Sequence, residues 1–307
     1  MKTNDPILTW LLESDPAIRW QTLRDLCNAG TARILKEQEK ISSEGWGARL
    51  LVRQAASGLW GGGLYGPKWT STTYTMLLLR QFGLPPDNPQ ALKACKLLMD
   101  KGFYHDGGIN FFASIQHSET CVTGMVLSIL AYFFFDDERV EKLVEHLCAQ
   151  QMPDGGWNCR SYDGATHSSF HTTISVLEGL HEYEKRRYSR MAAKSQERGV
   201  EFLLLHKLFR SHRTGNVVDS KMTRFSFPPR WRYDIMRALD YFQASQLSRD
   251  PRLEEAIAII KKKRRTDGRW VLQSKHAGKT FFEMEKVGKP SRWNTLRALR
   301  ILKWYEQ

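Results

Sequence analysis

Trp293-Asn294-Thr295-Leu296-Arg297-Ala298-Leu299, near the end of the chain, repeats Trp20-Gln21-Thr22-Leu23-Arg24-Asp25-Leu26 near its beginning. The same register recurs at 73–79, 121–127, 171–177 and 233–239. Its third position is Thr in five copies and Ile in one, and its seventh is always Leu. Six phased copies at that agreement mark an internal repeat, and the repeat constrains the fold before any single residue is interpreted.

Other amphipathic stretches lie between the copies, at 88–101, 138–151 and 252–263, with the 3.6-residue spacing of helices that bury one stripe. They end in glycine turns: Ser57-Gly58-Leu59-Trp60, Asp106-Gly107-Gly108-Ile109, Asp154-Gly155-Gly156-Trp157 and Asp267-Gly268-Arg269-Trp270. Glycine there stops one helix and admits the positive φ that turns the chain back. The unit is helix, Gly-aromatic turn, helix, with a period of about 50 residues. No run reads as a sheet.

Composition sets the outer limits. A chain of 307 residues, 41% hydrophobic and 11% aromatic, supports one large core, so 1–307 reads as a single domain. The longest apolar run, 124–135, is interrupted by Ser128 and is too short to span a bilayer. No N-terminal stretch combines a basic start, an apolar core and a small-residue cleavage site, so a cytoplasmic location is expected. Five scattered cysteines without a CxxC pair suit a reducing compartment. The formal net charge of +13 raises nucleic acid as a partner. Its densest run, 261–265, ends an amphipathic stretch, where cations suit the helix dipole, and no reader motif accompanies it. A solvated basic face is the expectation, and nucleic acid is not.

Two turns carry Gln-x-x-x-Gly-x-Trp without mismatch: Gln54, Gly58, Trp60 and Gln151, Gly155, Trp157. Degenerate versions occur at Phe103, Gly107, Ile109 and at Arg264, Gly268, Trp270. This pattern resembles the QW motif of the squalene-cyclase and protein-prenyltransferase β-subunit superfamily. The resemblance implies an all-α fold, an (α/α)6 barrel or toroid of about six helix pairs around a central cavity. It does not by itself carry a function.

At 100° per residue, positions three, four and seven of the heptapeptide share one face, nearly uniform in chemistry, which suits packing against neighbouring helices. Positions one, two and five lie opposite and change at every copy, so they are expected to line the cavity. Position five supplies Arg24, Arg237 and Arg297 in copies that ring closure makes neighbours. Three guanidinium groups on one wall would hold a diphosphate or several carboxylates, or would instead pair with Asp25, Asp234 and Asp240. Trp20, Tyr74, Tyr233 and Trp293, joined by the polar Asn294, would surround an apolar chain, unless they are ordinary core.

Cys121 and His171 occupy the same register in consecutive copies, and Cys159 sits on the loop feeding the second. Two thiols and an imidazole at one rim suggest a zinc site of Cys121, Cys159 and His171. Protein-prenyltransferase β-subunits carry zinc on an Asp-x-Cys pair and a distant His. This chain departs from that pattern, since Asp154 precedes Cys159 by five residues and Asp-x-Cys is absent. Cys121 also reads as a nucleophile with His171 as its base, and both also read as packing residues.

Class II terpene cyclases protonate an alkene with Asp-x-Asp-Asp, and no such motif is present. Asp-Asp-x-x-Asp for magnesium is absent too. The segment 207–230 is a long basic insertion before the fifth copy and reads as lid-like. A separate helical partner subunit, as prenyltransferases use, is not indicated by anything in the chain. The expectation is therefore a terpenoid cyclase- or prenyltransferase-like enzyme acting on an apolar, isoprenoid small molecule. In that reading Cys121, His171, Asp234 and Tyr233 perform the chemistry, Asp234 as proton acceptor. The rival expectation is a non-catalytic binding or scaffold protein that kept the toroid.

Overall fold

The structure, a computed structural model, describes residues 5–307. Thirteen α-helices form among them: α1 (Pro6–Leu12), α2 (Pro16–Asp25), α3 (Thr31–Glu39), α4 (Gly45–Leu51), α5 (Thr72–Phe82), α6 (Pro89–Gly102) and α7 (Thr120–Tyr132) in the first half. The second half holds α8 (Arg139–Ala149), α9 (Phe170–Glu184), α10 (Arg190–Leu205), α11 (Ile235–Ala244), α12 (Glu254–Lys262) and α13 (Arg292–Glu306). No strand forms among the described residues; there are only isolated bridges such as Phe103 with Ile109. The fold is the expected α/α toroid. Helices α2, α5, α7, α9, α11 and α13 carry the heptapeptides and form its inner wall, and the others cover them.

Local sequence sets the helix ends. Asp5, Asp15 and Asn88 each precede a proline and accept backbone N–H groups of the first turn. The proline sits where its missing N–H would have had no partner. Helix α5 stops at Gly83, whose φ of 84° turns the chain without a Cβ penalty.

The turn residues are structural. The Gln54 side-chain amide donates to Gly58 O and to Gln90 O on the next outer helix, both at 2.9 Å. Gln151 does the same to Gly155 O and Ser195 O at 2.7 and 2.8 Å. Indole N–H groups of Trp60, Trp157 and Trp270 donate back to Leu50 O, Leu147 O and Ile260 O. Each of these three turns is thus tied to the outer helix it leaves, and in the first two the glutamine ties it to the one that follows. Backbone groups that would otherwise be buried without partners are satisfied.

The repeat's threonine completes the tie to the inner wall. Backbone N–H groups of Ile109, Trp157 and Trp270 donate to the hydroxyls of Thr123, Thr173 and Thr295 at 2.9, 3.0 and 3.1 Å. The exception at this position, Ile235, follows the insertion rather than a glycine turn, so no turn N–H calls for a hydroxyl there. Trp60 uses Thr72 instead, one residue before its heptapeptide.

Between α7 and α9 the wall is closed by two glycines. A Cβ on Gly124 would lie 2.8 Å from Ser175 O, and one on Gly179 would lie 2.6 Å from Gly124 O. The chain ends close the ring: Arg300 of α13 reaches Asp25 and the Gln21 amide oxygen of α2, and Arg292 lies 4.5 Å over Trp10 of α1. No helix among the described residues is long and apolar enough to cross a membrane.

Candidate functional site

Position five of the heptapeptide and the residue one place beyond its end build a belt of charge inside the ring. Arg237 pairs with Glu178 at 2.8 Å and Arg297 with Asp240 at 3.2 Å. Arg80 and Arg300, both one place past a heptapeptide, reach the same two carboxylates at 3.3 and 2.6 Å. Arg24 pairs with its neighbour Asp25. Burial pushes the Glu178 and Asp240 carboxyls up, but the facing guanidinium groups outweigh it and hold both below their usual range. The expected arginine–carboxylate pairing is therefore found with Asp25 and Asp240, but Arg237 pairs with Glu178. Asp234 instead accepts the backbone N–H of Arg237 at 2.8 Å as the cap of α11.

The belt lines a cavity of about 430 Å³ at the C-terminal half of the inner helices. Its walls include Trp20, Arg24, Arg237, Trp293 and Arg297, five of the residues expected to hold ligand. Phe227, Tyr132 and Tyr241 add apolar surface, and Arg24 lies 4.5 Å over the Trp20 ring. Six cationic side chains face four carboxylates here, so the lining keeps an excess of positive charge. Arg80 Nε, His181 Nε2 and Trp293 Nε1, all from lining residues, are buried with no hydrogen-bond partner among the described residues. Burial above all, with Lys185 nearby, lowers the His181 imidazole to about 4 and keeps it neutral.

A second cavity of about 310 Å³ lies at the N-terminal mouth, lined by His171, Tyr233 and Asp234 with loop residues that include Ser226, Arg232 and His276. The two hollows are separated by the end of the long insertion. Phe227 stacks on Trp293 at 4.1 Å and faces the lower cavity, while Ser226 lines the upper one. The segment expected to be lid-like is thus divided. Around Arg213 to Val218 it stays exposed, and from Phe225 to Arg230 it is buried within the ring. Loops 61–71 and 271–291 meet over this mouth, with Trp69 N–H donating to Lys279 O at 2.8 Å.

In the upper cavity His171 Nδ1 accepts the Tyr233 N–H at 2.8 Å, and burial first, then Arg237 and Arg232, lower its imidazole to about 4. The ring is neutral with Nε2 as its remaining donor. His276 Nε2 lies 3.2 Å from Ser226 Oγ, and that hydroxyl is also 3.3 Å from Asp234 Oδ2. Burial raises the Asp234 carboxyl, partly offset by Arg297 and the N–H groups it accepts. The Tyr233 hydroxyl donates to Leu208 O at 2.6 Å, and burial pushes it well above its ordinary range. That suits a fixed strut rather than the catalytic role expected of Tyr233.

Tyr74 and Asn294 line neither hollow, against expectation. Tyr74 bonds the Tyr65 hydroxyl at 2.8 Å and meets Trp69 edge-on, and Asn294 donates to Val271 O at 3.0 Å. Position two of the repeat turns sideways in these copies, toward loops that fill the mouth.

Cys121 and Cys159 are brought together: the Cys121 N–H donates to Cys159 Sγ at 3.2 Å, and the Thr172 hydroxyl sits 3.3 Å from the same sulfur. No hydrogen bond joins Cys121 to His171, whose Nδ1 is occupied by Tyr233. Among the described residues no three His, Cys, Asp or Glu side chains are grouped to hold a metal ion. Cys121, Cys159 and His171 are thus not gathered as one such group.

Reading the sequence one position further would have found the belt, since Arg80, Glu178, Asp240 and Arg300 all stand seven residues after a heptapeptide's start. Ser226, Arg232 and His276 carry no such periodic signal, because loops deliver them.

No protein-family profile matches this chain, and no curated protein sequence does. Solved structures do. A variant of the type II terpene cyclase MstE from Scytonema, in complex with geranylgeranyl dihydroxybenzoate, aligns over 95% of this chain and 86% of its own, at 16% identity and a TM-score of 0.47. Another MstE variant, in complex with merosterolic acid A, covers 88% and 96% at 15% identity and a TM-score of 0.33.

Proposed function

We propose that this protein is terpenoid cyclase- or prenyltransferase-like and binds an isoprenoid with an anionic head in its lower cavity. One observation carries the reading: Trp20 and Trp293 share a 430 Å³ hollow with Arg24, Arg237 and Arg297. Cavities of that size suit small molecules, and a mixed lining of aromatic faces and guanidinium forks suits a hydrocarbon joined to a carboxylate or diphosphate. The surplus of cations over carboxylates sets the sign of the head.

The same geometry narrows the reaction. Glu178 and Asp240 are held ionised by arginine, so neither donates a proton to an alkene. Asp234, whose burial favours its protonated form, lies behind the partition in the other cavity. Initiation by either of these two belt carboxylates is disfavoured, and that supports the second reading, a binding protein that kept the ring without the cyclisation chemistry.

Titration with a non-hydrolysable farnesyl diphosphate analogue tests the site. Wild type should bind with one-to-one stoichiometry, and Arg24→Gln, which alters the most exposed member of the trio, should weaken binding at least tenfold. Unchanged affinity would remove the lower cavity as the binding site. Mass spectrometry after incubation with farnesyl and geranylgeranyl diphosphates separates the two readings, because only an enzyme changes the substrate.

A further inference from the structure

Interior arginines in this protein are paired: Arg80, Arg237, Arg297 and Arg300 each contact a carboxylate. The run ending the long insertion breaks that rule. Arg230 is buried, packs 5.4 Å from the Trp69 ring and makes no ion pair among the described residues. Arg232 is half-buried, lies 4.6 Å over Trp231, and its guanidinium makes neither an ion pair nor a hydrogen bond among the described residues. Lys221 and Arg224 line the upper cavity with Arg232 and have no carboxylate partners among the described residues. The two carboxylates in that lining offset them only in part. Asp219 accepts the Lys221 backbone N–H as a turn cap, and Asp234 is held by the Arg237 and Ser226 N–H groups.

Cations gathered in a recess repel one another, and a half-buried guanidinium without acceptors forfeits hydration. The arrangement is stabilised when an anion enters. The positive potential also shows in His276, whose imidazole is lowered to about 4 by burial first and then by Arg232 and Arg230. Neutral His171 and His276 and the Ser226 hydroxyl supply directional partners without adding charge. The lining offers little apolar surface beyond Trp69, Met222 and Tyr233, so the rest of the ligand is polar.

We propose that the upper cavity is a second binding site, separate from the isoprenoid pocket, that takes the phosphate group of a small, polar phosphomonoester on Lys221, Arg224 and Arg232. Phosphate matches guanidinium forks in geometry, and a dianion matches a cluster of three cations better than a single carboxylate does. The partition at Phe225 to Arg230 keeps this site apart from the lower one.

Calorimetry on the full chain, with inorganic phosphate and with glycerol 3-phosphate at constant ionic strength, tests the proposal. One equivalent of each should bind, and Arg232→Gln and Arg224→Gln should each weaken binding at least tenfold. Arg24→Gln, in the other cavity, should leave phosphate binding unchanged. Lys221 and Arg224 are exposed, so their substitutions keep the test valid if Arg232→Gln fails to fold. Phosphate affinity no greater than that for chloride, or insensitivity to Arg232→Gln, Arg224→Gln and Lys221→Gln alike, would overturn the site. So would loss of phosphate binding in Arg24→Gln. Binding confined to phosphatidic-acid vesicles, with none of soluble phosphate, overturns it as well.

Discussion

The backbone N–H of Trp157 donates to the hydroxyl of Thr173, 16 residues away, at 3.0 Å. That bond fixes the glycine turn onto the inner helix, and with its counterparts at Thr123 and Thr295 it accounts for threonine at the third position in three copies of the repeat. Thr173→Val keeps the shape and removes the acceptor. The buried N–H left behind should cost about 1–3 kcal/mol, read as a lower urea midpoint. Thr22→Val should cost less, because the Thr22 hydroxyl bonds only Ile18 O within its own helix. Equal losses would show that the turn bond contributes nothing special.

Glu178 holds two arginines from opposite sides, Arg80 of α5 and Arg237 of α11. Glu178→Gln leaves the Arg237 guanidinium without its carboxylate in a largely buried setting, while Arg80 keeps Glu182 at 3.2 Å, and should destabilise the fold by about 3 kcal/mol. Glu201→Gln, which breaks an exposed pair with Arg252, should change stability by less than about 1 kcal/mol. Chemical denaturation of the two variants checks the contrast, and similar losses would refute the belt's structural role.

Three histidines make the protein acid-sensitive. His171, His181 and His276 stand at about 4 in the folded state, below the ordinary 6.5. Between those values the unfolded chain binds protons that the native state does not, so stability rises with pH across that window. Acidification from 6.5 toward 4 should therefore lower the Tm progressively. Below it, protonation of Glu178 and Asp240 should remove the belt's contribution as well. His181→Phe should flatten the upper part of the curve, and a Tm independent of pH between 4 and 6.5 would contradict the burial of neutral imidazoles.

Cys159 is the cysteine set up to ionise. The Cys121 thiol, the Thr172 hydroxyl and the Cys121 N–H at the start of α7 all stabilise its thiolate, and its thiol is lowered, while Cys121 is pushed up. Cys27 and Cys148 are raised by burial, and Cys95 more so. Limiting iodoacetamide should therefore label Cys159 before Cys27 and Cys148, as peptide mapping would show. Labelling of Cys148 or Cys27 first would refute that ordering.

The repeat alone determined the ring. Threonine, leucine and the Gly-aromatic turns recur at most places where an outer helix hands over to an inner one, so the same local physics wrote them again and again, and periodicity reveals them. It also placed Trp20, Arg24, Arg237, Trp293 and Arg297 on one wall, because they share helical registers. What periodicity could not reach is anything delivered by a loop. The partition at Phe225 to Arg230, the Ser226–His276 contact and the turning aside of Tyr74 and Asn294 depend on how three non-repeating segments fold into the mouth. The partner choices inside the belt were likewise decided by distance across the ring. Arg237 meets Glu178 of α9 rather than Asp234 beside it in sequence, because Asp234 is taken up by the cap of its own helix. Residue spacing reports neighbours along a helix; only the closed ring brings opposite walls within reach of one another.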